Sequence, residues 1–582
     1  MNKSTNVLLF FISAILLLTM TCVLVTEAIE DETRQDDETA DQSEESIETG
    51  EENIIRPSNA VGLTYYIRPD GGSYAQCTGT TDAAYSGSGD NQECAWNHPF
   101  QALPPEGPVR IKGGETLVIA EGSYMMGYSA PGAESCDSDY PWDCFMPPVP
   151  SGAPGSPTRI LGAGWDSGCT SPPELWGTER AYYILNLDGA SNVEVACLEI
   201  TDHAACTDDH TGGLACKRDI YPFGEWAESG LYAADSTNII LRDLNIHGLS
   251  NRGIHAGRLS DWTVERVRLA ANGYAGWDGD IDDNDANSGT LEFHEFVVEW
   301  NGCVETYPDL EPIGCWAQTA GGYGDGLGTG QTGGAWIFED SAFLHNTSDG
   351  LDLLYTRQEG SSVVIKRTIA EGNAGNQIKT TGPAHLENVI AVSNCGFFQD
   401  QPFTHNVDYC RAGGSALALY PRHGNQLNVI NSTITGNGDC LVISECGEGG
   451  DCDGTESILL RNSILLGNPE FLGEGDTTCL AWSNFSHELF VYDHDIISDL
   501  KAMPGSCPPN SLCNIAPGLV SEDIDSFNAN LLSNSPAIDL GSTDLAPPDD
   551  FSGTSRDNHP DIGAYEYWEP SALLYLPFTK SS

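Results

Sequence analysis

A nine-residue segment ending in Asn recurs through the middle of this chain and constrains its fold more than any other feature. It reads VERVRLAAN to Asn272, FHEFVVEWN to Asn301, FEDSAFLHN to Asn346, IKRTIAEGN to Asn373, LENVIAVSN to Asn394, the shorter INSTITGN to Asn437, and LRNSILLGN to Asn468. Successive Asn residues are 29, 45, 27, 21, 43 and 31 positions apart. A helical repeat holds a fixed length. Short strands that keep their register, while loops of variable length leave from one turn, describe a coil of parallel strands in which each turn buries the same inward positions. Asn suits such a turn because it tolerates the left-handed conformation and can bond its own copy one rung away. A propeller would need longer and more even blades. The expectation is an all-β fold, a right-handed parallel β-helix, with the seven Asn residues near one turn.

Composition narrows the partners. The 582 residues carry 85 Asp and Glu against 25 Lys and Arg, a net charge of −60, so nucleic acid is excluded as a partner for want of a basic face. Past the first thirty residues no long Ala/Leu/Glu/Lys run keeps a helical period, which excludes a bundle. Residues 1–28 hold Lys3, an apolar run from Val7 to Val25 and the small-residue end Thr26-Glu27-Ala28, the pattern of a signal peptide. At 19 residues the run is also long enough for an uncleaved anchor, the one case in which a membrane would be a partner. Residues 29–60 read as a disordered acidic linker, with twelve Asp or Glu and only Arg34 basic between Ile29 and Asn53. The β-helix is expected over 61–567 as one monomeric domain, with a tail over 568–582.

Leaving Cys22 aside, eighteen cysteines remain, many close in sequence: Cys77 and Cys94, Cys136 and Cys144, Cys206 and Cys216, Cys303 and Cys315, Cys395 and Cys410, Cys507 and Cys513. Local disulfides stapling surface loops fit an exported chain, secreted or at the cell surface. Zinc is the rival, but none of these pairs has CxxC spacing.

Three turns carry the candidate chemistry. Tyr323-Gly324-Asp325-Gly326-Leu327-Gly328, Ser348-Asp349-Gly350-Leu351-Asp352-Leu353 and Gly375-Asn376-Gln377-Ile378-Lys379-Thr380 align Asp325, Asp349 and Asn376 at offsets of 24 and 27. The same register puts Asp352 and Lys379 in one column. Rungs lie ~4.8 Å apart, so three carboxylates would crowd one outer face with a lysine beside them. Carboxylates that close repel unless a cation holds them, and an all-oxygen set suits Ca2+. The plainer alternative is that each Asp caps its own turn and Lys379 neutralises Asp352. The run Asp278 to Asp285 has the alternate oxygen spacing of a calcium loop without the rest of an EF-hand. Trp262, Trp277, Trp300, Trp316 and Trp336 read as core or loop packing before sugar-stacking faces. His255 shares the Asp352 register several rungs earlier and is given no role.

The stretch from Asp325 to about Asn394, with NTSDGLDLLY and GNAGNQIKTTG, resembles the calcium and lysine-base region of family 9 polysaccharide lyases, secreted pectate-lyase-type β-helices. The resemblance implies a pectin-lyase-like solenoid in which Asp325, Asp349 and Asp352 match calcium ligands and Lys379 matches the Brønsted base. Ser348 stands where the family pattern carries an acid. Asn534 to Asp539 and Asp561 to Tyr567 are similar to the C-terminal end of many exported bacterial β-helix proteins. The implied function is a calcium-dependent lyase that cleaves a uronate-containing polysaccharide by β-elimination, the metal acidifying the C5 proton and neutral Lys379 removing it. Arg357, Arg411 and Arg422, with Lys366 and Arg367, are candidate contacts for further substrate carboxylates. Two rivals remain: a carboxylate-pair glycoside hydrolase, and a non-catalytic glycan-binding or adhesive surface β-helix.

Overall fold

The computed structural model describes residues 62–140, 143–177, 181–203, 227–281, 286–305, 312–316, 323–422, 424–446, 452–467, 479–486, 489–499 and 506–568. The leader and linker expected over 1–28 and 29–60, and all of the tail expected over 568–582 but Trp568, lie outside these residues, as do Cys206, Cys216 and Asn468. Two large parallel sheets make the fold. Ten strands, from Ala181–Asn186 to Cys479–Ser483, stack in register on one face. A further 23 form the other faces. Parallel crossovers of this kind are right-handed, and the fold is the right-handed parallel β-helix expected from the repeats.

Alternation explains the strands. In Ser362–Lys366 Val363 and Ile365 are buried while their neighbours are part-exposed, and Val363, Ile365, Leu351, Ile378 and Leu417 all point into one continuous core. Aromatic side chains stack through that core from rung to rung, with Phe293 parallel to Phe338 at 4.5 Å and to Trp336 at 5.8 Å. Trp262, Trp277 and Trp336 are fully buried, so their role is packing.

The Asn residues form a hydrogen-bonded ladder. Asn272 Nδ2 donates to Asn301 Oδ1 at 3.0 Å, Asn301 to Asn346 at 2.8 Å, and Asn346 to Asn373 at 2.8 Å. The same oxygens accept the backbone N–H of the preceding Asn, so each carboxamide also holds its neighbour's turn. Glycines make room for the ladder. A Cβ on Gly350 would meet the Gln377 carbonyl at 2.5 Å and Asn373 Nδ2 at 2.7 Å, and Gly253, Gly276 and Gly326 face the same obstruction from their own neighbours. Gln377 takes the next place in this glycine column, and its Oε1 accepts from Asn373 Nδ2 at 2.9 Å, ending the ladder. Asn394 and Asn437 therefore correct the expectation in part. They occupy the equivalent place in the register, but Asn394 donates to Asp525 and Asn437 Oδ1 faces Cys395, because the chain leaves the coil after Asn394 for a long loop.

A second column bends each rung between the other two faces. Asp243, Arg266, Glu295, Asp340, Arg367 and Asn388 all sit there with φ between 43° and 54°. Side chains that cost strain at such angles here pair along the column, Arg266 with Asp243 and Arg367 with Asp340, both at 2.6 Å. Further along, Asn388, Asn431 and Asn462 donate to the carbonyls of Asp549, Asp561 and Ser542 at 2.8–2.9 Å. The C-terminal segment thus runs back along the helix as a strap. It covers outward apolar residues, with Ile390 and Val392 buried against Ile524, Ala529 and Ala564. Arg556 is buried in the strap, donating to Glu566, Asn388 and the Ala564 carbonyl.

Disulfides staple the loops. Five of the six close pairs are bridged, Cys77–Cys94, Cys136–Cys144, Cys303–Cys315, Cys395–Cys410 and Cys507–Cys513. Cys169–Cys197, Cys440–Cys479 and Cys446–Cys452 join them. The loops leaving Asn301 and Asn394 pair with each other, Cys315 lying opposite Thr404 in a three-stranded sheet outside the coil. His247 clasps the first of them. Its ring is 1% exposed and lies 2.5 Å from Glu305 Oε1 and 3.0 Å from Glu199 Oε1. Burial would lower its pKa, but the two carboxylates raise it to about 9.

Two outcomes follow from these contacts. Gly350→Ala has no room for its methyl and should lose about 2–3 kcal/mol in chemical denaturation. His247 binds its proton more tightly folded than unfolded, so its contribution is complete below pH 6.5 and is lost as pH rises to about 9. Melting curves of His247→Gln should lack that decline.

Candidate functional site

The ten-stranded sheet carries one outward column across successive coils: His255, Asp278, Gly328, Asp352, Lys379 and Ala418. Beside it Asp325, Asp349 and Asn376 form the predicted second column, each side chain accepting the backbone N–H one coil on. Asp325 Oδ1 takes Asp349 N at 3.0 Å, Asp349 Oδ1 takes Asn376 N at 2.6 Å, and Asn376 Oδ1 takes Ser415 N at 3.2 Å. The turn Asp residues are thus held in place by the same step that spaces the coils.

Lys379 joins the columns. Its Nζ donates to Asp349 Oδ2 at 3.1 Å and to Asp352 Oδ2 at 2.8 Å. Burial would lower the ammonium pKa, but Asp349 and Asp352 outweigh it and hold it well above the ordinary lysine range. Asp349 lies below its ordinary value, since Lys379 and the Asn376 N–H overcome its burial. Burial leaves Asp352 raised despite the same lysine. Among the described residues Asp325 has no cation in contact, and burial with the charges of Asp349 and Asp352 pushes it up to about 7. Gly328 keeps the space beside it open, because a Cβ there would lie 2.8 Å from Asp325 Oδ2.

These groups line a cavity of about 270 Å³, open to solvent, together with Arg411 from the loop after Asn394. Arg411 donates to Ser348 Oγ, and its backbone N donates to the Ala374 carbonyl at 3.0 Å. The disulfide of the preceding residue, Cys410, anchors the loop that carries it. Asp278 and Asp280 line the same cavity, which brings the acidic run to the predicted site; its residues 282–285 lie outside the described ones. Asp278 pairs with Arg252 and accepts Asp280 N at 2.9 Å.

Of the predicted substrate contacts, only Arg411 lines the cavity. Arg357 and Arg422 do not line it: Arg357 stacks 4.7 Å above the ring of Tyr355, itself a lining residue, and Arg422 donates to the Arg357 carbonyl at 2.6 Å. Lys366 and Arg367 belong to another face, where Glu387 at 3.2 Å and Asp340 at 2.6 Å engage them. Tyr355 was missed because its column neighbours are set by a loop and not by strand register.

The donors fit a hard cation in kind, since all are oxygens and three carboxylates face one lysine and one arginine. Among the described residues no three His, Cys, Asp or Glu side chains are already gathered to hold a metal ion. Lys379 occupies the space between two of the carboxylates, so a cation would have to share them.

No known protein-family model matches the chain, and no curated protein is detectably similar in sequence. Among solved structures it is similar to the pectate lyase Pel9A, with a TM-score of 0.40 and 14% identity over 86% of this chain and 96% of that one. A rhamnogalacturonan lyase aligns with a TM-score of 0.38 and 12% identity over 83% and 97%. The A-module of the Azotobacter vinelandii mannuronan C-5 epimerase AlgE4 aligns with 0.36 and 12% over 69% and 89%. At these identities and scores none assigns a substrate or a residue to this chain.

Removing the lysine charge tests the ion pairs directly. Lys379→Met leaves Asp349 and Asp352 buried without their cation, and with chelator present should cost about 3–5 kcal/mol at pH 8. The loss should shrink at pH 5, where the carboxyls can take protons; equal losses at both pH values would refute charged pairing.

Proposed function

We propose that this chain is a polysaccharide lyase that cleaves a uronate-containing polymer by β-elimination in the Lys379 cleft, with Ca2+ as its cofactor. The observation that carries this reading is a single lysine amine bonded to two buried carboxylates of the preceding coil, Asp349 and Asp352, with a third, Asp325, one coil before them, in an open cavity that also presents an arginine. Eight disulfides among the described residues support a site of action outside the reducing cytosol.

Asp325, Asp349 and Asp352 would hold the cation. When bound, calcium offsets their charge and withdraws electrons from a substrate carboxylate. Lys379 acts in its neutral form: its Nζ lone pair takes the proton from C5, the C5 electrons form the C4=C5 double bond, and the C4–O4 bond breaks. The departing oxygen takes a proton from water. Arg411 has the planar fork that suits a uronate carboxylate. Ser348 gives that guanidinium a neutral hydrogen-bond partner, where an acid at the same place would neutralise it. Lys379, paired as it is, cannot serve as base until Asp349 and Asp352 are drawn elsewhere. This makes the metal and the base interdependent.

The glycosidase reading fares less well, because Asp349 and Asp352 bond the same amine and do not flank an open space from opposite sides. Lys379→Arg separates the remaining alternatives. Arginine keeps a cation for both carboxylates but stays protonated, so the fold should be retained while elimination falls about a hundredfold or more. Ultraviolet absorbance of unsaturated products on polygalacturonate, alginate and rhamnogalacturonan, with calcium or chelator, measures it. A fully active Lys379→Arg would remove the lysine from the mechanism. A wild type inert on every polymer would favour the glycan-binding reading.

A further inference from the structure

A larger cavity, of about 490 Å³, opens on the other side of the Asn corner. In one coil His345 precedes the ladder residue Asn346 and faces this cavity, while Asp349 follows it and faces the Lys379 cleft. Three parts of the chain enclose the space. The floor is the coil itself at Glu371 and Gly372, one wall is the stapled loop at Phe397, Gln399 and Asp400, and the other is Asp525 from the strap. Asn394 Nδ2 donates to Asp525 Oδ1 at 2.9 Å and ties strap to coil.

Its chemistry differs from that of the cleft. No lysine or arginine lines it, whereas Glu371, Asp400 and Asp525 do, which disfavours a uronate, phosphate or other anion. An apolar ligand would strand these polar groups. The Glu371 carboxyl makes no hydrogen bond or ion pair among the described residues, and burial raises its pKa. The imidazole of His345, lowered to about 4 by burial, is neutral and stacks on Phe397 with ring centres 4.0 Å apart. The ring also fills the space where a Cβ on Gly372 would sit, 2.5 Å from His345 Cδ2, so glycine there makes room for the imidazole.

We infer that this cavity is a second carbohydrate site, separate from the Lys379 cleft, that takes a neutral glycosyl unit. Carboxyl and amide side chains supply acceptors and donors for vicinal hydroxyls, and the stacked Phe397 and His345 rings form the apolar part of the lining. The volume is that of a small-ligand pocket. A neutral sugar would be a side branch of an acidic polymer or a unit of a neighbouring one. The inference does not depend on the lyase reading, since none of the cleft residues lines this space.

Calorimetric titration of the full chain with tetrasaccharides of β-1,4-linked glucose, galactose, xylose and glucosamine, and with tetragalacturonate, tests it. At least one neutral tetrasaccharide should bind. Glu371→Ala and Gln399→Ala should each weaken that binding tenfold or more, with Lys379→Arg leaving it unchanged. Binding of no neutral sugar would overturn the inference, as would binding of the cationic glucosamine tetramer alone. It would also fall if both cavity variants bound as wild type does, or if they lost affinity for tetragalacturonate instead.

Discussion

In the ladder Asn272, Asn301 and Asn346 each donate a carboxamide N–H to the Asn of the next coil, and Asn301, Asn346 and Asn373 accept from the one before. A primary amide is the side chain that can do both in one direction without limit. Buried between rungs, these groups are costly to leave unpaired, so a single Asn at the corner commits the next coil to supply another. Glycine stands at positions 253, 276, 326 and 350 because the facing carboxamide, of Asn272, Asn301, Asn346 or Asn373, lies where a side chain would otherwise stand. The ladder ends only where Gln377 turns its own amide back to Asn373.

The cleft depends on that corner. Three residues after Asn346 comes Asp349, and successive coils present the backbone N–H groups of Asp349, Asn376 and Ser415 to Asp325, Asp349 and Asn376. Carboxylates of like charge are therefore brought together by the backbone spacing and not by attraction, and Lys379 offsets the resulting repulsion for two of them. Asp325 is left raised. A group of acids assembled in this way stores a demand for positive charge, and it is through this demand that the proposed cation would be coupled to the state of the lysine.

Loops and strap decide what surrounds the coil. The segments leaving the helix after Asn301 and Asn394 are closed by Cys303–Cys315 and Cys395–Cys410 and pair with one another. Arg411 reaches Ser348 from the second of them, and Phe397 reaches His345 from the same loop. One stapled loop thus supplies a wall to both cavities. The strap closes the second from the far end of the chain through Asp525.

The amino-acid sequence by itself determined the coil and the columns, because these rest on local repetition. A recurring Asn, alternating apolar positions, and the single-turn offsets of 24 and 27 between Asp325, Asp349 and Asn376 are visible without a third dimension, and neighbouring close cysteines report their own pairing. The departure of Asn394 from the ladder was not visible, since the register continues while the hydrogen bond goes to Asp525, 131 residues away. Nor could local pattern separate Arg411, which a loop carries into the cleft, from Lys366 and Arg367, which strand register turns to another face. Contacts within or between adjacent rungs repeat with the chain and leave a periodic trace in it. Contacts made by an inserted loop or a returning strap occur once, between distant segments, and only the tertiary structure decides them.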